Sequence, residues 1–204
     1  MANENNNERL ILQAAEEEFI QKGYNGAKTT SIAAKAGVTH AMLHYYYRTK
    51  ENLFQKVFSA KVQQVVQPFK ELLENDKSIT LEKAIRDFIH LHFSFLKANP
   101  LLINFVYNEV ISNPTNRKVA IKAIYPTMSH LYARVSSLIN AEVEAGNITK
   151  IKPLQLILNI LSLNITTFMV YPLIAENMQQ EQAALFLQER ESCNISFILN
   201  AIKP

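Results

Sequence analysis

Between Thr29 and Lys50 the chain gathers hydroxyls, imidazoles, phenols and cations at helical spacing. Such a set suits phosphates and the base edges beside them. His40 and His44 are four residues apart, as are Ala41 and Tyr45, so each pair shares one side of a helix. Leu43, Tyr46 and Tyr47 fall at the complementary spacing and can pack inward with Val38. A face of His, Ala, His and Tyr is too aromatic for an ordinary solvated surface. The small Ala41 at its N-terminal end permits the close approach that a recognition helix makes in a major groove. Lys28 and Thr29 stand at the start of a preceding helix, where a side chain or backbone N–H can meet a phosphate.

Two short helices and a tight turn must hold that face. Thr30 sits where an N-cap belongs, its hydroxyl ready to accept an orphan N–H of the first turn. Ile32, Ala33 and Ala36 recur at helical spacing. Gly37 follows, where a left-handed residue is cheap only for glycine, and Thr39 can cap the second helix. A turn of about three to four residues containing Gly is the grammar of a helix-turn-helix. Charge agrees with this. Lys22, Lys28, Lys35, Arg48, Lys50, Lys56 and Lys61 accompany one acid, Glu51, giving that segment a net +6 in a chain whose total is only +3. A positive segment on a helix-turn-helix is the electrostatic footprint of a phosphate-binding module.

Other chemistry finds less support. His90 and His92 are two residues apart, which on a helix turns them about 200° from one another, so they cannot share an ion. Asp87 and His90 do share a face and read as an exposed pair. The single Cys193 forbids an intrachain disulfide, offers no zinc spacing and reads as a buried or inert thiol. No G-x-S-x-G, P-loop or G-x-G-x-x-G occurs. The sequence therefore predicts no enzyme, no metal and no cofactor. Residues 154–175 come closest to the roughly 18 apolar residues of a membrane span, but Gln155, Asn159, Ser162, Asn164, Thr166 and Thr167 interrupt them. The N-terminus is polar and lacks the apolar core of a signal peptide. The expectation is a cytoplasmic protein with no membrane span.

The fold expected is all-α, with nine helices. Apolar residues make up 48% of the chain and only four glycines occur, which favours a helix-rich core. Residues 7–22 bury Ile11, Ala14, Ala15 and Phe19; Gly23 stops the helix and Tyr24 folds back as a plug. Thr49 caps a long helix from Lys50 to about residue 74, with Leu53, Phe54, Val57, Phe58, Val62, Val65 and Val66 inward. Pro68 should kink or interrupt it, and Asn75–Ser78 reads as a loop. Further helices are expected over 80–98, then from Asn99-Pro100 to about residue 112, each Asn-Pro reading as an N-cap with Pro at the first helical position. Asn113-Pro114 opens a helix to Ala145, kinked at Pro126 and ended by Gly146. Pro153 opens one to Ala175, broken near Tyr171-Pro172, and the last covers 180–202. Two domains follow: a helix-turn-helix DNA-binding domain at 1–52 and a helical ligand-binding and dimerisation domain at 53–204. The helix leaving Lys50 joins them without a flexible linker.

In the second domain, buried polarity suggests a pocket. Asn159, Ser162, Thr166 and Met169 form one stripe of their helix; Asn164, Thr167 and Tyr171 form another. An unpaired buried polar group costs about 1–3 kcal/mol, so both stripes need partners. One could face a ligand and the other a subunit interface, or both could serve helix–helix hydrogen bonds alone. Asn104, Tyr107 and Asn108 are further candidates, beside Phe88, His92 and Phe95. Such a site takes a small, mostly apolar ligand with one or two polar handles. The last two helices have the apolar excess of a dimeric four-helix bundle, although a buried monomer core would look similar.

The chain resembles the TetR (tetracycline-repressor) family of bacterial transcriptional regulators. The residues that carry the resemblance are Thr29-Thr30-Ser31-Ile32-Ala33, Ala36-Gly37-Val38, Leu43-His44-Tyr45-Tyr46-Tyr47 and Thr49-Lys50-Glu51-Asn52-Leu53. The resemblance implies a homodimer through the last two helices, a palindromic double-stranded DNA operator, and release of that DNA by a small-molecule effector. It implies that Thr29 or Thr30 touches phosphate and that Thr39, His40, Ala41 and Met42 face base edges. Tyr45 and Tyr46 would flank the groove, and Lys50 would meet phosphate. His44 stands where the family commonly has Tyr. No Arg precedes position 48 in the recognition helix, so readout is expected from His40, from Met42 against thymine methyls, and from DNA shape. The alternative is a helical dimer that binds a small molecule or protein and has no sequence-specific DNA binding.

Overall fold

The computed structural model describes residues 2–75 and 78–204. Their elements are α1 (Ala2–Gly26), α2 (Thr29–Lys35), α3 (His40–Tyr47), α4 (Lys50–Asn75), α5 (Leu81–Ala98), α6 (Leu102–Val106), a π-helical turn (Tyr107–Ile111), α7 (Pro114–Glu144), α8 (Pro153–Ala175) and α9 (Gln180–Ala201). The all-α expectation holds, but the count is higher than nine. Gly23, at φ 68°, divides α1 into two helices, and the helix expected after Pro100 is split between α6 and the π turn, so the described residues form eleven helical segments. The expected loop includes Asp76 and Lys77, which lie outside the described residues.

Caps explain most boundaries. The hydroxyls of Thr39, Thr49 and Thr80 accept the backbone N–H of Met42, Asn52 and Lys83 at 3.1, 3.1 and 3.2 Å. Asn113 Oδ1 accepts from Thr115 and Asn116 in the same way. Two expected caps fail. The residue before α2 is Lys28, in extended backbone, and Thr30 lies inside the helix. Asn99 ends α5, donating from its amide to the Phe95 carbonyl at 2.8 Å, and does not open α6. The helices also run on through Pro68, Pro126 and Pro172, so none of these prolines interrupts its element. A missing N–H and one ring clash are local costs that burial along the rest of a long helix outweighs.

The chain divides into two compact units, Met1–Gln63 with Asn104–Pro126, and Gln64–Ile103 with Thr127–Pro204. In the first, Ile11, Ala15 and Phe19 of α1 are buried with Ile32 and Ala33 of α2, Leu43 and Tyr47 of α3, and Leu53 and Phe54 of α4. Tyr24 folds back as a plug, stacked on Phe19 and edge-on to Phe54. Phe54 also meets Phe105 of α6. In the second unit, Leu81, Ile85 and Ile89 of α5 form one core with Ile139 of α7, Leu156 and Ile160 of α8, and Ile198 and Ile202. α8 is long and apolar enough to cross a bilayer by composition, with a mean hydropathy of 1.7. Its buried Asn164 and Thr167 nevertheless bond to neighbouring helices, which makes it a wall of this unit.

Candidate functional site

The helix-turn-helix presents one face of α3 outward. Leu43 and Tyr47 are buried and Tyr46 is half-buried, while His40, Ala41, His44 and Tyr45 are exposed. Tyr45 is 68% exposed, too much for a packing residue. Gly37 takes φ 69° in the turn, as its position requires. The imidazoles are fixed in place. His40 Nε2 and the Thr29 hydroxyl are hydrogen-bonded at 2.9 Å, tying the start of α2 to the start of α3. His44 Nδ1 lies 3.0 Å from the Arg48 carbonyl. A carbonyl can only accept, so His44 Nδ1 is the donor of this bond. The two rings meet edge to face at 4.5 Å. Thr30 and Lys28 are exposed and Thr29 is half-buried. Met42 is half-buried with its sulfur 3.5 Å from Asn7 Nδ2 of α1, so it leans toward the core side and away from the face of His40.

The basic footprint is narrower than its sequence count. Glu18 of α1 is fully buried and pairs with Lys22 at 2.7 Å and Lys35 at 3.2 Å. Its carboxyl is held at about 2, chiefly by the Lys22 hydrogen bond. Glu16 takes Lys61 at 2.6 Å. Three of the seven cations are thus spent inside the unit, whereas Lys28, Arg48 and Lys56 are exposed. Lys50, at the start of α4, is half-buried with its ammonium 4.8 Å above the Tyr24 ring. Burial lowers its pKa, and the Glu109 carboxylate opposes that shift. Between α3 and α4 stands Arg48 at φ 59°, the one non-glycine at positive φ among the described residues. Strain of this kind concentrates at functional positions. Spacing did not reveal it, since arginine carries no turn signal.

The second set of candidates separates. Phe88 lies parallel on His92 at 5.8 Å. His92 is buried; its Nδ1 accepts from Asn164 Nδ2 at 3.3 Å, and burial lowers its pKa to about 4. Asn164 also donates to the Ile89 carbonyl, and its oxygen accepts from Asn194 Nδ2 at 3.0 Å. Thr167 donates to the Leu163 carbonyl at 2.7 Å and accepts from Arg190 Nε at 3.3 Å. The stripe of Asn164, Thr167 and Tyr171 therefore faces α5 and α9. Asn159, Ser162, Thr166 and Met169 lie on the exposed side of α8, Met169 at 60%. Phe95 is half-buried, while Asn104, Tyr107 and Asn108 are exposed and belong to the first unit. The interior network draws on Asn194 and Arg190 of α9, which periodicity alone did not single out.

Three smaller expectations change. Cys193 is exposed, on the outer face of α9. Asp87 pairs with Lys83 at 2.7 Å, and His90 meets Glu191 of α9 at 2.7 Å. A groove of ≈ 590 Å³ lies at the other end of the second unit, lined by Leu81, Arg86, Glu142, Ile148, Leu199 and Lys203 among others, and it shares no residue with the sequence candidates.

An outward recognition face on a preorganised helix-turn-helix defines a DNA-binding regulator. Residues 11–57 match the family described as bacterial regulatory proteins, tetR family. Over those residues the chain is similar to the TetR family of transcriptional regulators. It is 26% identical over 149 residues to the HTH-type transcriptional regulator RutR of Escherichia coli (strain K12), covering 73% of this chain and 68% of that one. It is 28% identical over 86 residues to the fatty acid metabolism regulator protein of Bacillus subtilis (strain 168), covering 42% and 43%. In fold it is similar to the transcriptional regulator FadR from Bacillus subtilis, solved in complex with stearoyl-CoA, with TM-score 0.73 at 18% identity over 95% of this chain and 98% of that one.

Proposed function

We propose that this regulator is a repressor that binds a palindromic operator as a homodimer and is released by a small, mostly apolar effector. The observation that carries the reading is the exposed face of His40, Ala41, His44 and Tyr45 on α3, with its imidazoles already hydrogen-bonded in place. His40 reads base edges; Thr29, Thr30, Lys28 and Lys50 meet phosphate; Tyr45 and Tyr46 flank the groove. Residues 1–52 act as the DNA-binding domain and 53–204 as the effector and dimerisation domain.

The dimer forms through α8 and α9. Leu154, Leu158, Ile165, Met169 and Leu173 stand four or seven residues apart along the outer side of α8, and Leu185 and Phe197 lie on α9; all are exposed. An apolar stripe of that length on a single chain marks an interaction surface. The exposed Asn159, Ser162 and Thr166 then belong to this surface, and the polar handle for an effector is the inner stripe, with His92 and Phe88 beside it. The stearoyl-CoA bound to the Bacillus subtilis regulator supports a fatty-acyl effector, which matches an apolar site with few polar handles.

Selection of duplexes from a random pool, followed by footprinting, tests the reading. It should enrich an inverted repeat with half-sites about 34 Å apart or a multiple of this. Long-chain acyl-CoA added to the complex should then release the protein. A pool with no enriched repeat would favour the helical module without DNA readout.

A further inference from the structure

The π-helical turn places an acid, Glu109, some 50 residues past the end of the family match, where no DNA contact is expected. A π turn inserts one residue into a helix, rotating everything after it by about 100°. Here it directs Glu109 back onto α1. The carboxylate lies against Gly23, so closely that a Cβ at that position would overlap Glu109 Oε1. Glu109 Oε2 accepts from Asn116 Nδ2 at 3.4 Å, and Asn116 is itself buried and held at the start of α7 by Asn113. The residue after Gly23 is Tyr24, whose ring carries the Lys50 ammonium 4.8 Å above it. Tyr24 meets Phe54, and Phe54 meets Phe105, two residues before the π turn begins. The carboxylate and the lysine are thus held by one aromatic cluster, on either side of the Gly23–Tyr24 corner. The Glu109 field reaches the ammonium, since it works against the burial that lowers the Lys50 pKa. All of these residues lie within the first compact unit.

An ammonium has no preference between a carboxylate oxygen and a phosphate oxygen beyond charge and distance. We propose that Glu109 is a built-in competitor of the operator phosphate for Lys50, lowering DNA affinity while the π turn rests on Gly23. The inference rests on the reading of Lys50 as a phosphate contact. It makes Glu109 a positioning residue that touches no DNA. The segment 104–126 that delivers it is continuous in sequence with the second unit at both ends, so a shift of that segment would change how firmly Lys50 is held.

The test is fluorescence anisotropy with the selected operator duplex, titrated over a series of salt concentrations, on wild type, Glu109→Gln, Lys50→Ala and the double variant. Glutamine keeps the size of the side chain and can still accept from Asn116. Glu109→Gln should tighten binding roughly fivefold, the effect of one partly screened charge, and should steepen the salt dependence because Lys50 then releases a counterion more fully. In the Lys50→Ala background the gain should vanish. A purely structural Glu109 would leave the salt slope unchanged. Unaltered affinity and slope for Glu109→Gln, with wild type still binding, would overturn the inference and leave the operator reading intact. A gain that persists undiminished without Lys50 would also overturn it, since the charge would then act on DNA directly. Wild type that binds no duplex would overturn both.

Discussion

The head and the second unit use histidine in opposite ways. On α3, His40 and His44 are exposed, and each has one ring nitrogen tied to the protein, by Thr29 and by the Arg48 carbonyl. In the second unit His92 is buried, accepts from Asn164 and is held neutral by burial. The exposed pair is held for something outside the molecule; the buried one joins an interior network in which Asn194 Oδ1 still has no partner. The difference teaches where selection for function and selection for stability act. Losing a side chain from the α3 face should alter recognition and leave folding unchanged. Losing one from the Asn164 network should do the reverse.

The strongest way to break the comparison is Asn164→Leu. It strands His92 Nδ1 and the Asn194 amide in the interior. The expected loss is about 3 kcal/mol of stability, read in a denaturant titration, and an unchanged midpoint would show that the network does not stabilise the fold.

Acid should separate the two units next. His92 titrates at about 4 folded against its usual 6.5, so between those values the unfolded chain binds more protons and stability falls as pH falls. From pH 7 to pH 5 the expected cost is about 2 kcal/mol. His92→Asn should flatten that part of the profile. Glu18 in the head has its carboxyl depressed from 4.5 to about 2, so its stabilisation is present above 4.5 and is lost only as pH falls from there toward 2. Spectroscopic probes on the two units should therefore show the second one failing first on acidification.

His40→Ala should shift base preference by about 1–2 kcal/mol at one position of each half-site, the scale of a single base-edge contact, with an unchanged melting temperature. Equal loss on every sequence would remove its reading role. The smallest effect is expected for Lys50→Ala: a uniform weakening, and a salt slope reduced by less than one, since Glu109 already holds part of that charge.

The sequence made the head legible because its signals are local. A cap is one hydroxyl or amide oxygen and an N–H two or three residues on, so Thr39, Thr49 and Asn113 could be read directly. Gly37 and the inward Leu43 and Tyr47 follow from backbone geometry and helical spacing in the same way. Asn99 was ambiguous because an amide serves either end of a helix equally well, by donating to the last carbonyls or accepting from the first N–H groups. The charge count of +6 misled for a different reason. Lys22, Lys35 and Lys61 meet Glu18 and Glu16, which stand just outside the window counted, and pairing is decided in space. The two stripes of α8 were indistinguishable in the sequence; only the docking of α5 and α9 turns Asn164 and Thr167 inward. The π turn left no trace at all, because one extra residue per turn has no composition of its own.

Cys193 has a practical consequence. It is the only thiol in the chain and it projects from the outer face of α9, between Leu185 and Phe197. A maleimide dye or nitroxide therefore attaches at one place without any engineering. Its labelling rate becomes a footprint of α9 itself, fast on a bare helix and slow on a covered one. Followed across protein concentration, that rate would report when a second molecule arrives.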